Sequence, residues 1–186
     1  MSLNIELGGG EHPAKIVHKN MQDYINIDGR PLPTVDVVLD VSENPLPYEN
    51  NSVDHIYNCH FMEHISYAKT LNKVLPECLR VLKPGKSMST FMPILDGIMD
   101  AWFKQCRCKS GSIQYSLKEP CKECGGLATY RSIMEYLYGG QHNPFDFHRY
   151  VWSIEEFTKV LLKTGFKEVK TEIPEFPMAI MIIGIK

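Results

Sequence analysis

The first half of the chain alternates short apolar runs with Gly, Pro and Asn breaks, the rhythm of buried strands joined by crossovers. Four strands are predicted from it: Leu3 to Leu7, Tyr24 to Asp28, Asp36 to Asp40 and Val53 to Cys59. Leu71, Val74, Leu75, Leu79 and Leu82 then recur at helical spacing and stop at Lys83-Pro84-Gly85, ahead of a fifth strand from Ser87 to Met92. Pro76 lies inside that helix and has no backbone donor, so a kink or a fresh start is expected there. The pattern resumes at Ser153-Ile154-Glu155-Glu156, a capping box. Ile154, Phe157, Val160 and Leu161 line one face of the helix it opens, Gly165 closes that helix, and strands follow from Phe166 to Ile173 and from Met178 to Ile185. Seven strands with interleaved helices predict a doubly wound α/β sheet.

Composition narrows the setting. With 186 residues, 44% of them hydrophobic and 23% charged, the chain has the size of one α/β domain, expected to span residues 1–186. A net charge of -2 and a pI near 6.4 give no general attraction to phosphate backbones, which favours a small-molecule ligand over nucleic acid. A start without a basic, apolar leader and the lack of any run of roughly 20 apolar residues predict a cytoplasmic protein without a membrane span. It is expected to act as a monomer or homodimer. Reduced cysteines follow from that setting.

In an open parallel sheet, ligands sit beyond the carboxyl ends of the strands, so the residues there carry the information. The first strand ends in Gly8-Gly9-Gly10, which lets the backbone approach a ligand closely. The second ends at Asp28, where a carboxylate can accept both hydroxyls of a ribose. Asp40-Val41 end the third, and Asn58-Cys59-His60 the fourth. Four strands with a polar group at the same edge are more specific than any one of them.

Glu6-Leu7-Gly8-Gly9-Gly10, Tyr24 to Asp28, Asp36 to Asp40, Leu46 to Asp54, His60 to Ile65, Leu79 to Gly85 and Leu161 to Phe166 together resemble the class I S-adenosylmethionine (SAM) dependent methyltransferases, particularly the small single-domain kind. The resemblance covers roughly residues 3 to 92 and 145 to 186. It implies a Rossmann-like, seven-stranded, mostly parallel sheet with the last strand antiparallel, in three α/β/α layers. It also implies SAM as cofactor, with Glu6, Gly8, Gly9 and Gly10 shaping the methionyl end and Asp28 on the ribose. Asp40 and Val41 would face the adenine, and Asn58 and His60 the floor near the sulfonium. The chain departs from the family at its first crossover: about thirteen residues, including Pro13, separate Gly10 from Tyr24, so the first crossover helix must be short or absent.

His60-Phe61-Met62-Glu63-His64 also fits H-x-x-E-H, the zinc pattern of one metallopeptidase class, which needs both histidines on one helix. The residues before it read as a strand, and His64 is better placed at a helix start or under the cofactor loop. Residues 93–152 exceed the minimal fold and carry Cys106-x-Cys108 and Cys121-x-x-Cys124, paired as four thiolates of a structural zinc site would be. The same stretch holds Tyr130, Tyr136, Tyr138, His142, Asn143, Phe145, Asp146, Phe147 and His148, which would suit a substrate cover or a second small core.

Methyl transfer from SAM needs alignment first and proton removal where the acceptor demands it. His60, His142 and His148 are the candidate bases, since imidazole titrates near neutral pH. The acceptor is not encoded legibly: the fourth strand lacks the Asn/Asp-Pro-Pro-Tyr/Phe signature of enzymes that methylate nucleobase amines. A non-catalytic SAM-fold module that binds a partner is the alternative to an enzyme.

Overall fold

The computed structural model describes residues 2–103, 130–172 and 178–186, residues 130–132 by their backbone alone. Its sheet has seven strands: β1 (Asn4–Leu7), β2 (Tyr24–Asp28), β3 (Val37–Val38), β4 (Val53–Cys59), β5 (Leu82–Pro93), β6 (Glu168–Glu172) and β7 (Ala179–Ile185). Their spatial order is β3-β2-β1-β4-β5-β7-β6. The first five pair in parallel, and β7 runs antiparallel to both β5 and β6. The last strand is therefore antiparallel, as the resemblance implied. Ile5, Leu7, Ile27, Val53, Ile56 and Met88 are buried, as strands covered on both faces require.

Chain order runs outward from β1 through β2 to β3, then jumps back to β4 on the other side of β1. Leu7 stands opposite Asn58 across that jump, so the loops after β1 and β4 part there and leave a crevice. This is the switch point at which the predicted site residues should meet.

Between β1 and β2 the crossover has a single turn, α1 (Ala14–Val17), as the spacing demanded. β3 is shorter than the predicted Asp36 to Asp40. Asp36 and Leu39 still bond to the β2 carbonyls of Asn26 and Asp28, but Asp40 leaves the strand to turn, its Oδ1 accepting from Ser42 N at 2.9 Å. After β4, a 3-10 turn (Met62–His64) leads to α2 (Tyr67–Lys69), a π-helical turn (Thr70–Val74) and α3 (Leu75–Val81). Pro76 cannot donate to the carbonyl of Asn72 and would crowd it. The wider turn upstream relieves this, and Pro76 becomes an early residue of a restarted helix.

The elements α4 (Leu95–Phe103) and α5 (Tyr130–Tyr138) lie between β5 and α6 (Ile154–Thr164). Ile98, Ala101, Ile133 and Met178 make a small core there, joined by Trp102 and Tyr136. α6 begins as predicted, with Ser153 Oγ accepting from Glu156 N at 3.1 Å. The reciprocal half of the box is diverted, because Glu156 Oε1 takes the Tyr150 hydroxyl at 2.7 Å. Gly165 ends the helix with φ 121° while Phe166 N returns to Leu161 O. Phe157, Val160 and Leu161 join Leu75, Cys78 and Val81 of α3 in the main core.

Candidate cofactor cleft

The turn after β1 needs glycine at two places. Gly8 has φ 73° and its N–H returns to Ile27 O at 2.8 Å; a Cβ there would stand 2.4 Å from the Phe61 ring. Gly10 has φ 55° and donates to Asp28 Oδ2 at 3.0 Å. Gly9 N donates to Asn26 Oδ1 at 3.2 Å. The N–H groups of this loop are thus committed to β2 and its side chains.

Glu6 is buried beneath the loop, where Ala14 N donates to its Oε2 at 2.7 Å. Burial is the main cause that raises its pKa to about 7, against the opposing pull of the Ala14 hydrogen bond. The N-terminal N–H of α1 is therefore spent on a carboxyl of the chain itself.

Asp28 holds two different partners. Its Oδ1 accepts from Arg30 N at 2.9 Å and Arg30 Nε at 3.0 Å, and its Oδ2 from Gly10 N and from Arg30 Nη2 at 3.2 Å. The Arg30 guanidinium also lies 5.9 Å from the centre of the Phe145 ring.

His60 follows β4 with φ 50°, a left-handed conformation uncommon for residues with a side chain and concentrated at functional positions. Its N–H bonds to Phe91 O at 2.8 Å and its Nδ1 pairs with Glu63 Oε1 at 3.0 Å. Burial opposes the charged imidazolium, but the hydrogen bond and charge of Glu63 outweigh it and raise the His60 pKa. For His148 burial dominates and lowers the pKa. Asn58 is buried, with Nδ2 on Thr90 Oγ1 at 3.0 Å and Oδ1 without a partner among the described residues.

These loops enclose a cleft of about 660 Å3. Among the residues expected to bind a cofactor, Gly8, Asp28, Asp40, Val41 and His60 line it. Glu6, Gly9, Gly10 and Asn58 are not in its wall and support it from behind. Asn143, Pro144, Phe145, Asp146 and Arg149 close the opposite side, so part of the stretch foreseen as a cover does face the strand ends. Of the candidate bases, His60 lines the cleft; His142 does not, and His148 lies behind its wall with its ring 4.9 Å from that of His64. Cys106, Cys108, Cys121 and Cys124 lie outside the described residues.

The peptidase geometry is absent. His60 follows a strand and His64 closes a 3-10 turn, so no helix presents the pair on one face. His64 lines the cleft instead, its Nδ1 3.2 Å from Phe147 O. Arg30, Phe61 and Arg149 were not foreseen in the wall. Arg30 could have been found, since it follows Asp28 by two residues; Arg149 could not, because only the packing around Glu63 brings it in.

Residues 13–89 match the family model described as a methyltransferase domain. The fold is similar to that of a SAM-dependent methyltransferase from Archaeoglobus fulgidus, with TM-score 0.65 and 13% identity, covering 100% of this chain and 86% of that one. It is also similar to the 1,6-didemethyltoxoflavin N1-methyltransferase of Burkholderia thailandensis, solved with its substrate and S-adenosylhomocysteine (TM-score 0.56, 11% identity, 100% and 71% covered). A protein from Thermotoga maritima described as a possible histamine N-methyltransferase is similar at TM-score 0.60 and 15% identity, with 100% and 82% covered. No curated protein matches in sequence. The topology and these likenesses show the Rossmann-like fold seen in SAM-dependent methyltransferases, and residues 13–89 carry the match to a methyltransferase domain.

Proposed function

We propose that the protein transfers a methyl group from SAM to an acceptor bound on the side of the cleft formed by His60 and residues 143–149. The observation that carries this reading is the convergence of Gly8, Asp28, Asp40 and His60, from the ends of four neighbouring strands, on one cleft. SAM fits the residues present: Gly8 has no room for a side chain between loop and Phe61, Asp28 presents a carboxylate, and Val41 an apolar wall. Bound SAM would supply an activated methyl group on a sulfonium.

The chain's own part is alignment. Asp28 would accept the ribose hydroxyls once Arg30 turns away, and Asp40 and Val41 would hold the adenine. Glu6, Gly9 and Gly10 brace the methionyl end from beneath, and Asn58, buried behind the wall and bonded to Thr90, supports the floor. His60 stands nearest the acceptor side of these groups. Cys106, Cys108, Cys121 and Cys124 are assigned a structural zinc on their spacing alone. The acceptor class favoured is a small molecule, because the chain's net charge is -2.

Calorimetric titration with SAM tests the cofactor reading: binding by the wild type and its loss in Asp28→Ala are expected. A non-catalytic module is the second reading, and one observation favours it, namely that Asp28 is fully engaged by Gly10 and Arg30. Absence of binding in both the wild type and Arg30→Ala would decide for it.

A further inference from the structure

Behind the His60 wall stands a group of side chains that alignment of a cofactor does not use. Glu63 is fully buried; its Oε1 is held by His60 at 3.0 Å and its Oε2 has no hydrogen-bond partner among the described residues. Leaving a carboxylate oxygen buried without a partner is costly, and a native structure keeps such a group where something else is meant to meet it. His64 and His148 flank it, their rings 4.9 Å apart. One possible ligand atom from each of Glu63, His64 and His148 lies within 4.8 Å of the other two.

The atoms turned away from one another are all occupied. His64 Nδ1 is 3.2 Å from Phe147 O, and His148 Nδ1 is 2.9 Å from Tyr136 O. If each Nδ1 carries the proton and donates it to its carbonyl, each Nε2 is left as a lone-pair donor. This is the outer-shell arrangement that orients metal-binding imidazoles, and a hydrogen-bonded second oxygen does the same for a metal-binding carboxylate. The main chain fixes the juxtaposition across 84 positions, since Arg149 N and Tyr150 N both donate to Glu63 O, at 2.7 and 3.2 Å.

We propose that Glu63, His64 and His148 bind a divalent transition-metal ion of the zinc type. Two imidazoles and one carboxylate form a ligand set suited to zinc and its neighbours, and hard cations such as Mg2+ prefer oxygen. Bonds of about 2.0–2.2 Å require the three ligand atoms to draw together by roughly an ångström from their present spacing. His60 does not ligate; it holds Glu63, so it is a positioning residue for the ion. Three protein ligands leave coordination open, and His64 faces the cleft. An oxygen or nitrogen donor of the acceptor can take that position; this last step rests on the methyl-transfer reading, whereas the metal site does not.

Chelator-stripped, full-length protein titrated with Co2+ tests the proposal, with zinc competition to set affinity. An ion showing ligand-field bands without thiolate charge-transfer bands is expected in the wild type. It should be lost in His148→Ala and in Glu63→Gln, and weakened on the order of 10- to 100-fold in His60→Ala. Any ion on the cysteines would carry thiolate bands and persist in all three variants. Glu63→Gln keeps shape and removes the buried charge, so it guards against loss of fold in His148→Ala. Unchanged non-thiolate binding in Glu63→Gln and His148→Ala, or cobalt bound through thiolate alone, would overturn it. SAM titration of the same metal-free samples reads the cofactor site separately, so failure of one reading is distinguishable from failure of the other.

Discussion

Arg30 grips Asp28 from two residues along the chain, with Nε 3.0 Å from Oδ1 and Nη2 3.2 Å from Oδ2. With the N–H groups of Arg30 and Gly10, these bonds use four acceptor positions of the carboxylate, about as many as it has. A ribose can therefore reach Asp28 only by displacing the guanidinium, which has Phe145 as an alternative neighbour. Arg30→Ala should bind SAM at least as tightly as the wild type, whereas Asp28→Ala should lose tenfold or more, about 1.5–3 kcal/mol for hydrogen bonds to a charged group. Calorimetry on the two variants checks both directions.

Gly8 is expected to tolerate no side chain. Alanine there would combine a positive φ of 73° with a Cβ 2.4 Å from the Phe61 ring, and both must be relieved by shifting the loop or the ring. A loss of about 1–3 kcal/mol in stability, with weakened SAM binding, should appear in denaturant titration and calorimetry of Gly8→Ala.

Glu6 should leave a signature in the pH dependence of stability. Its pKa stands at about 7 in the fold against 4.5 for the free side chain. Between those values the folded chain holds a proton that the unfolded chain has released, so stability falls as pH rises through this window and levels off above it. Roughly 1–2 kcal/mol is at stake after allowing for solvent screening. Glu6→Gln can still accept the Ala14 N–H and should flatten that slope in denaturation curves taken from pH 4.5 to 8.

Ser153→Ala removes the acceptor for Glu156 N at the start of α6. A cost of about 0.5–2 kcal/mol is expected in thermal or denaturant unfolding. The cleft lies away from this cap, and SAM affinity should be unchanged.

Local rules made the main elements readable. The capping serine and the closing Gly165 act within a few residues of themselves, and α6 formed between them as expected; β5, expected from Ser87, begins at Leu82 and takes in Lys83-Pro84-Gly85, because the helix already ends at Val81. β3 was overestimated because Asp36 to Asp40 carries a strand pattern, yet only two of its residues pair with β2 before Asp40 turns. Strand ends could be read as a site because one edge of a parallel sheet collects them. The group formed by Glu63, His64 and His148 could not, since hydrogen bonds between Arg149, Tyr150 and Glu63 O create it across the chain. His148 was visible as a candidate base, and Glu63 and His64 as parts of the His60 to Ile65 segment and of the peptidase pattern.

Glycine-rich turns after a first strand commonly receive pyrophosphate, which relies on free N–H groups and the positive end of the following helix. Here α1 is one turn long, its first N–H is held by Glu6, and Gly9 and Gly10 donate to Asn26 and Asp28. A dinucleotide phosphate would meet donors that are already spent. The glycine turn therefore holds no donor in reserve for a phosphate, and a cofactor that carries none loses nothing by meeting it.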